Sequence, residues 1–398
     1  MFKFKGSKME GAGDTDERMG LLRSLYVTIF LTSTAFGTVS FLLPVYAEGL
    51  GASYIALGLI GGVGSIVYTV MTLTSGVLLD RFERVRFYFW SAMLGVAVVF
   101  LFTLTSKVSD LIVTKGLLGV VSATFWVTAS TLTADISPPE VLTQSVGRYN
   151  LSWILGFVVG PYLGGLVSEA YGFHSLFLVL SLVVLSSATL IWVRLANRLK
   201  LRNRTENRAF NLSALRKISL AFVVLLPYAV ILGIYMAILP GHMGNLGISA
   251  SAIGLLLTMT NGVRGLGFFN SERMVRLGVK KSLGVAAGLM TCALFFVSFS
   301  SSTIEFVVPL ALFGLAGGII TPVILDYIAH RAPKEALGTA MGLHECVYGI
   351  GMTIGPLAGG AIAEAFNPST LYLLLAALAI FILPLALGLD DGSSEVDI

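Results

Sequence analysis

Long apolar stretches, broken by short polar segments, fill almost the whole chain. Stretches of about 20 or more apolar residues, the length of helix that crosses a bilayer, recur from Leu21 to Leu389. The pattern predicts an all-α membrane protein with twelve transmembrane helices in two six-helix bundles. The predicted spans are 22–46, 54–79, 87–106, 111–134, 149–170 and 175–194 in the first bundle, and 218–242, 250–271, 282–300, 304–328, 339–364 and 370–389 in the second.

The polar segments divide the chain into tails, bundles and a linker. We predict a tail (1–20), a first bundle (21–194), a basic linker (195–217), a second bundle (218–389) and a second tail (390–398). Hydrophobic residues make up 56% of the chain and charged residues 12%, whereas a soluble domain has about 25% charged residues. The composition therefore excludes an ordinary globular protein and predicts an integral protein of the lipid bilayer.

A pattern of glycine and proline occurs twice. Each member of the first copy has the same residue type 195 positions later, from Gly342 to Gly360. The first copy consists of Gly147, Gly156, Gly160, Pro161, Gly164 and Gly165. The glycines spaced four apart share one helix face, which allows a neighbouring helix to approach closely, and Gly147 lies off that face. The duplication predicts two pseudo-symmetric bundles that rock about a central cleft.

Positive charges are distributed unevenly along this topology. If the amino terminus is cytoplasmic, only Lys107 of the 26 Lys and Arg residues lies outside, while Lys115 and Arg264 fall within spans. The positive-inside rule then predicts both termini in the cytoplasm, and we expect the protein to lie in the cell (plasma) membrane. Because the cations mark topology, the net charge of +4 predicts no nucleic-acid partner. We expect the chain to be a monomer.

The loop after the second predicted span carries a family resemblance. The run Gly76-Val77-Leu78-Leu79-Asp80-Arg81-Phe82-Glu83-Arg84-Val85-Arg86 resembles the loop signature of the major facilitator superfamily, with Glu83 where that family has glycine. The second copy, 271–281, keeps Arg276 but has Val275 in place of the aspartate. Together with the repeat, the resemblance covers nearly the whole chain. It implies the major facilitator fold and transport by alternating access.

The glycine pattern carries a second resemblance. The stretch from Gly147 to Gly165 resembles the fifth-helix "antiporter motif" of drug/proton antiporters, although many of those proteins carry an acid in the first span and this chain has none between Leu25 and Val45. The resemblance implies proton-coupled efflux of lipophilic or amphipathic small molecules. The alternative is a proton-coupled symporter or uniporter for a small polar or anionic solute.

Charged residues at the cytoplasmic ends of the spans suggest a gate. A carboxylate at the C-terminal end of a helix needs a positive partner, and for Asp80 this is Arg81, Arg84 or the N-terminal end of the eleventh span. The resemblance implies that this contact locks the cytoplasmic side shut. The alternative is that the arginines only mark topology. We expect Asp135 and Asp326 to pair with Arg148 and Arg276, the alternative being a catalytic or binding role. The predicted gate comprises Gly76, Asp80, Arg81, Arg84, Asp135, Arg148, Arg276 and Asp326.

Two charged residues lie inside the second bundle at the same predicted depth. Arg264 and Glu345 are each about 10 Å from the cytoplasmic surface, and charges inside a membrane are costly and usually functional. If they meet, Arg264 favours the ionised carboxylate, whereas separation favours the protonated form. We therefore predict proton coupling by Glu345 and Arg264 with His344 as a relay. The alternatives are a static structural pair or a side chain that reaches the surface.

The predicted substrate site combines polar and aromatic residues near mid-membrane. Asn261 precedes Arg264 by three residues and shares its face, and Asn150 is the first-copy counterpart of Glu345. Aromatic side chains there either stack on a flat lipophilic ligand or simply pack. The predicted site comprises Phe36, Trp126, Asn150, Trp153, Tyr228, Tyr235, Asn261 and Arg264.

The sequence lacks motifs for other kinds of chemistry. It has no phosphate-binding Gly-x-x-x-x-Gly-Lys loop and no cluster of metal-ligand type, so we predict no cofactor and no metal. An enzyme that used His344 and Glu345 would lack a nucleophile at a defined spacing. A receptor would lack a signalling domain. The predicted partners are a small-molecule substrate, protons and the lipid bilayer.

Overall fold

The computed structural model describes residues 15–196, 218–333 and 336–390, and these form helices joined by short turns. Most of both predicted tails and of the basic linker lies outside the described residues. The helices are α1 Thr15–Gly49, α2 Tyr54–Arg81, α3 Arg84–Leu101, α4 Val108–Ile136, α5 Leu142–Leu190, α6 Ser219–Ala237, α7 Leu239–Asn245, α8 Ala250–Phe269, α9 Ser271–Arg276, α10 Val279–Val297, α11 Thr303–Arg331, α12 Leu337–Ala365, α13 Pro368–Ile380 and α14 Ile382–Leu387.

The predicted spans correspond to the observed helices. Within the described ranges, 11 helices are long and apolar enough to cross a membrane. One of them, Gln144–Ala196, has 53 residues and contains two predicted spans. These are separated at Gly172, whose φ of 82° and ψ of 164° are not helical and are strained for any residue but glycine. The prediction of an all-α protein with two sets of membrane-spanning helices is confirmed.

The duplicated glycines bring pairs of helices into backbone contact. In the first copy, a Cβ atom on Gly160 of α5 would lie 2.5 Å from Thr38 Oγ1 and 2.6 Å from the carbonyl oxygen of Thr34, both on α1. In the second copy, a Cβ atom on Gly351 of α12 would lie 2.5 Å from Ala229 Cβ on α6. Both copies therefore serve the same purpose, which is the close approach of two long helices without large side chains between them.

Contacts within the chain define two compact units, and each combines parts of both sequence halves. Among the described residues, one unit comprises 15–51, 63–196 and 249–258, and the other comprises 52–62, 218–248, 259–333 and 336–390. The start of α8 thus belongs to the first unit, and the start of α2 belongs to the second. The division at the basic linker into two rocking bundles stays a prediction.

Equivalent contacts hold these exchanged helix starts in place. In the first unit, the Glu169 carboxylate accepts a hydrogen bond from the backbone N–H of Ser251 at 3.2 Å. In the second, the carboxylate of Glu364 accepts one from the N–H of Tyr54 at 2.8 Å. Both glutamates satisfy amide groups that the first turn of a helix leaves without partners. Since Glu169 and Glu364 are 195 residues apart, the repeat extends to these caps.

Candidate functional site

Small residues on α11 place Arg264 of α8 in the interior of the second unit. A Cβ atom on Gly318 would lie 2.6 Å from the carbonyl oxygen of Arg264, so the two helix backbones touch. The Arg264 side chain is half-buried, and its Nη2 donates a hydrogen bond to Thr321 Oγ1 at 3.5 Å. Thr321 in turn donates to Tyr228 Oη on α6 at 3.3 Å. The close crossing of α8 and α11 therefore directs a cation onto a chain of hydroxyl groups.

Aromatic rings surround this cation. The Arg264 guanidinium carbon lies 5.5 Å from the centre of the Phe268 ring, within the range of a cation–π contact. Tyr348 of α12 meets Tyr228 edge to face, with ring centres 6.0 Å apart. The ring of His344, one turn earlier on α12, lies 5.3 Å from Tyr348. We call Tyr228, Arg264, Phe268, Thr321, His344 and Tyr348 the Arg264 cluster.

Three polar atoms of the Arg264 cluster are buried without a hydrogen-bond partner among the described residues. They are Arg264 Nε, His344 Nε2 and Tyr348 Oη, and His344 is only 4% exposed. A buried polar group without a partner costs about 1–3 kcal/mol, and most such groups in proteins are paired. Three such atoms therefore lie together in this one cluster.

The structure does not bring Arg264 and Glu345 together. Instead, Glu345 Oε1 forms an ion pair with His344 Nδ1 at 3.1 Å, and the Glu345 side chain is 58% exposed. The reason is helix geometry, because consecutive residues point about 100° apart, whereas His344 and Tyr348 are four apart and share a face. His344 thus faces the cluster while Glu345 faces outward, and the imidazole links the acid to the cluster.

The remaining predicted substrate residues fall into packed and accessible groups. Phe36 and Tyr235 are 2% and 4% exposed and pack against Phe125 and Phe313. Asn261 is buried on α8, one turn before Arg264. Trp126 and Trp153 are half-buried and Asn150 is exposed, and Trp153 Nε1 donates to Asn150 Oδ1 at 3.1 Å. Of the predicted substrate residues, the structure therefore joins Tyr228 and Arg264 in the Arg264 cluster.

Comparison with known proteins decides the family. The model of the Major Facilitator Superfamily matches residues 25–241 and 220–396, and thus most of the sequence.

The chain belongs to the major facilitator superfamily.

It is therefore a membrane transporter for small molecules and not an enzyme. An uncharacterised MFS-type transporter of Methanocaldococcus jannaschii is 23% identical over 357 residues, which cover 87% of this chain and 92% of that protein. The multidrug resistance protein MdtG of Escherichia fergusonii is 24% identical over 392 residues, covering 92% and 94%. The crystal structure of the nucleoside transporter NupG has a TM-score of 0.77 at 12% identity, and the match covers 93% of this chain and 99% of that one.

The described residues include only part of the predicted gate. Gly76, Asp80 and Arg81 lie in the last turns of α2, but their side chains lie outside the described part of the structure. Arg84, at the start of α3, forms an ion pair with Asp135 at the end of α4, and the two side chains are 14% and 18% exposed. Because α3 and α4 follow each other in the chain and pack side by side, the start of α3 lies next to the end of α4.

The other predicted gate pairs are not formed. Asp135 pairs with Arg84 instead of Arg148, which is exposed. Arg276 pairs with Glu272 at 3.3 Å instead of Asp326, and Asp326 pairs with His330 at 3.2 Å. Both of these replacements are partners four residues away on the same helix, where side chains are neighbours by geometry alone. The pairing predictions for Asp135, Arg148, Arg276 and Asp326 were therefore wrong in partner.

Three members of the Arg264 cluster were not predicted from the sequence, although the repeat carries a signal for two of them. Tyr348 and Thr321 stand 195 residues after Trp153 and Trp126, which were both predicted to contact substrate. As second-copy counterparts of these tryptophans, Tyr348 and Thr321 could have been predicted to contact substrate as well. Phe268 carries a weaker signal, namely its position four residues after Arg264 on the same helix face.

Proposed function

We propose that this major facilitator protein exports lipophilic or amphipathic small molecules in exchange for protons, by alternating access. The antiporter-like glycine pattern and the relationship to multidrug resistance proteins named MdtG support this direction. We further propose that it works as a monomer in the cell membrane, with both termini in the cytoplasm.

The contact between His344 and Glu345 carries the proposal of proton coupling. Glu345 exposes a carboxylate, and that carboxylate is hydrogen-bonded to a buried imidazole at 3.1 Å. The imidazole in turn contacts Tyr348, so a proton taken up by Glu345 changes the charge next to the Arg264 cluster. Binding of substrate at the cluster would then be linked to the protonation state of the acid, as coupling of the two requires.

Replacing Glu345 by glutamine is expected to abolish the proton release or uptake that accompanies ligand binding. The amide keeps the size of the side chain but does not titrate. The measurement is the pH change on adding amphipathic ligands to the purified protein in weak buffer. Glu272→Gln is the matched control, because Glu272 is exposed and paired only at the surface of α9. A proton signal that is the same in Glu345→Gln and wild type would remove Glu345 as the coupling acid.

A second function is favoured by one observation, which is that the described structure gives Arg264 a hydroxyl partner and no carboxylate. Such a cation would suit a symporter or uniporter for a small polar or anionic solute. Transport direction in oriented vesicles separates the two proposals, since only an exporter moves substrate out against a gradient at the expense of inward proton flow.

A further inference from the structure

We propose that the Arg264 cluster binds the anionic group of the transported molecule, so that the substrates include amphipathic organic anions of the aromatic carboxylate type. The inference rests on the proposed function and names the chemistry of its substrate. It does not depend on whether transport is efflux or uptake. Charge, hydrogen-bonding capacity and surrounding apolar surface all support it.

The positive charge of Arg264 favours an anionic ligand. Arg264 lies within the eighth predicted span, and a cation at this depth is costly unless an opposite charge or a polar surrounding compensates it. Its described partners are the Thr321 hydroxyl and the Phe268 ring, which carry no full negative charge. Glu345, the nearby acid on α12, is joined to His344 instead. An anionic ligand would supply the missing charge.

The hydrogen-bond donors of the Arg264 cluster suit a carboxylate. A guanidinium presents its N–H groups in a planar fork that matches the two oxygens of a carboxylate. Among the described residues, the Tyr348 hydroxyl lies beside the Arg264 guanidinium, and neither Arg264 Nε nor Tyr348 Oη makes a hydrogen bond of good geometry. His344 Nε2, next to Tyr348, is a third unused atom. Because Nδ1 is bonded to the Glu345 carboxylate, Nε2 donates when the imidazole is protonated. These atoms would complete the binding of one carboxylate group.

The third argument is the apolar surface beside the donors. Tyr228, Phe268 and Tyr348 place aromatic rings around the cation, and rings of this kind favour flat apolar ligands. Gly317 lets Tyr228 pack close against α11, because a Cβ atom there would lie 2.8 Å from Tyr228 Oη. A ligand with an aromatic body and an anionic end would match both parts of the cluster.

The test compares ligands that differ only in charge. Biphenylcarboxylate, its neutral carboxamide and the cationic biphenylmethylamine are added separately to the purified full-length protein, and affinity is obtained from the shift in thermal unfolding. We expect the carboxylate to bind about tenfold to a hundredfold more tightly than the amide, which corresponds to one charge-assisted interaction. Arg264→Gln should remove this preference, while the same change at Arg276, which is 70% exposed, should keep it.

Two further arms keep the inference open to refutation. If Arg264→Gln does not fold, Tyr348→Phe provides a milder variant, and we expect it to reduce the preference for the carboxylate several-fold. Chloride and phosphate are tested as competitors, because displacement of the carboxylate by millimolar chloride would show an inorganic anion site and overturn the proposal. Equal binding of carboxylate and amide by the wild type, or tighter binding of the amine, would also overturn it. Loss of proton exchange with the carboxylate preference intact would contradict the proposed function alone.

Discussion

Replacing Gly355 by alanine is expected to abolish transport and to destabilise the purified protein. The new methyl group would point into the backbone of α6, where the carbonyl carbon and Cα of Val230 would both lie 3.1 Å away and the carbonyl oxygen closer still. A backbone cannot move aside as a flexible side chain can, so we expect a cost at or above the 1–3 kcal/mol that is typical of overpacking, about 3 kcal/mol. Thermal unfolding in detergent and transport in vesicles measure the two effects.

The control lies within the same repeat. A Cβ atom on Gly342 would meet nothing within 4 Å, and alanine favours a helix over glycine by about 1 kcal/mol. We therefore expect Gly342→Ala to keep both transport and stability. The first copy offers a matched pair, in which Gly160→Ala is harmful and Gly147→Ala is tolerated. Equal effects at Gly355 and Gly342 would show that these glycines do not act through close helix contact.

Replacing Asp135 by asparagine is expected to produce the second large loss of stability. The change leaves Arg84 with its charge but without its partner, at a site where the Arg84 side chain is only 14% exposed. Breaking a buried ion pair by removing one partner costs about 3–5 kcal/mol, and partial exposure places our expectation near the lower end of that range. The free energy or midpoint temperature of unfolding in detergent measures the effect.

An exposed ion pair of the same loop supplies the comparison. Arg86 lies 3.8 Å from Glu83 and is 70% exposed, and surface pairs contribute about 0–1 kcal/mol. Arg86→Gln should therefore change stability little, while the exchange Arg84→Asp with Asp135→Arg should restore part of what Asp135→Asn loses. A loss for Arg86→Gln as large as that for Asp135→Asn would contradict the assignment of Arg84 and Asp135 as a structural pair of the gate region.

The fold could be predicted from the sequence because membrane-spanning helices follow almost directly from the length of apolar stretches. In lipid every backbone group must be paired within the segment, so a stretch of that length has little choice but to form a helix. The duplicated glycines also predicted close helix contact, which is observed between α5 and α1 and between α12 and α6. The turn at Gly172 separates the two spans of α5, as their predicted boundary required.

The site was harder to predict, because side-chain direction depends on rotation about the helix axis. Depth alone favoured a pair of Arg264 with Glu345, but depth does not say which face a residue occupies. His344 and not Glu345 faces the cluster, and Arg264 finds Thr321 across a crossing that small residues on α11 permit. Similarly, Arg276 and Asp326 each found a partner one helical turn away, which competes with any more distant partner.

Proton-driven transport in vesicles tests the central claim most directly. The protein is reconstituted with a known orientation, a pH gradient is imposed without ATP, and movement of biphenylcarboxylate is followed. We expect export by the wild type, and this export should stop when a protonophore collapses the gradient. Glu345→Gln should show no gradient-driven export, whereas Glu272→Gln should remain active. Transport that ignores the pH gradient, or runs only inward with protons, would contradict this claim.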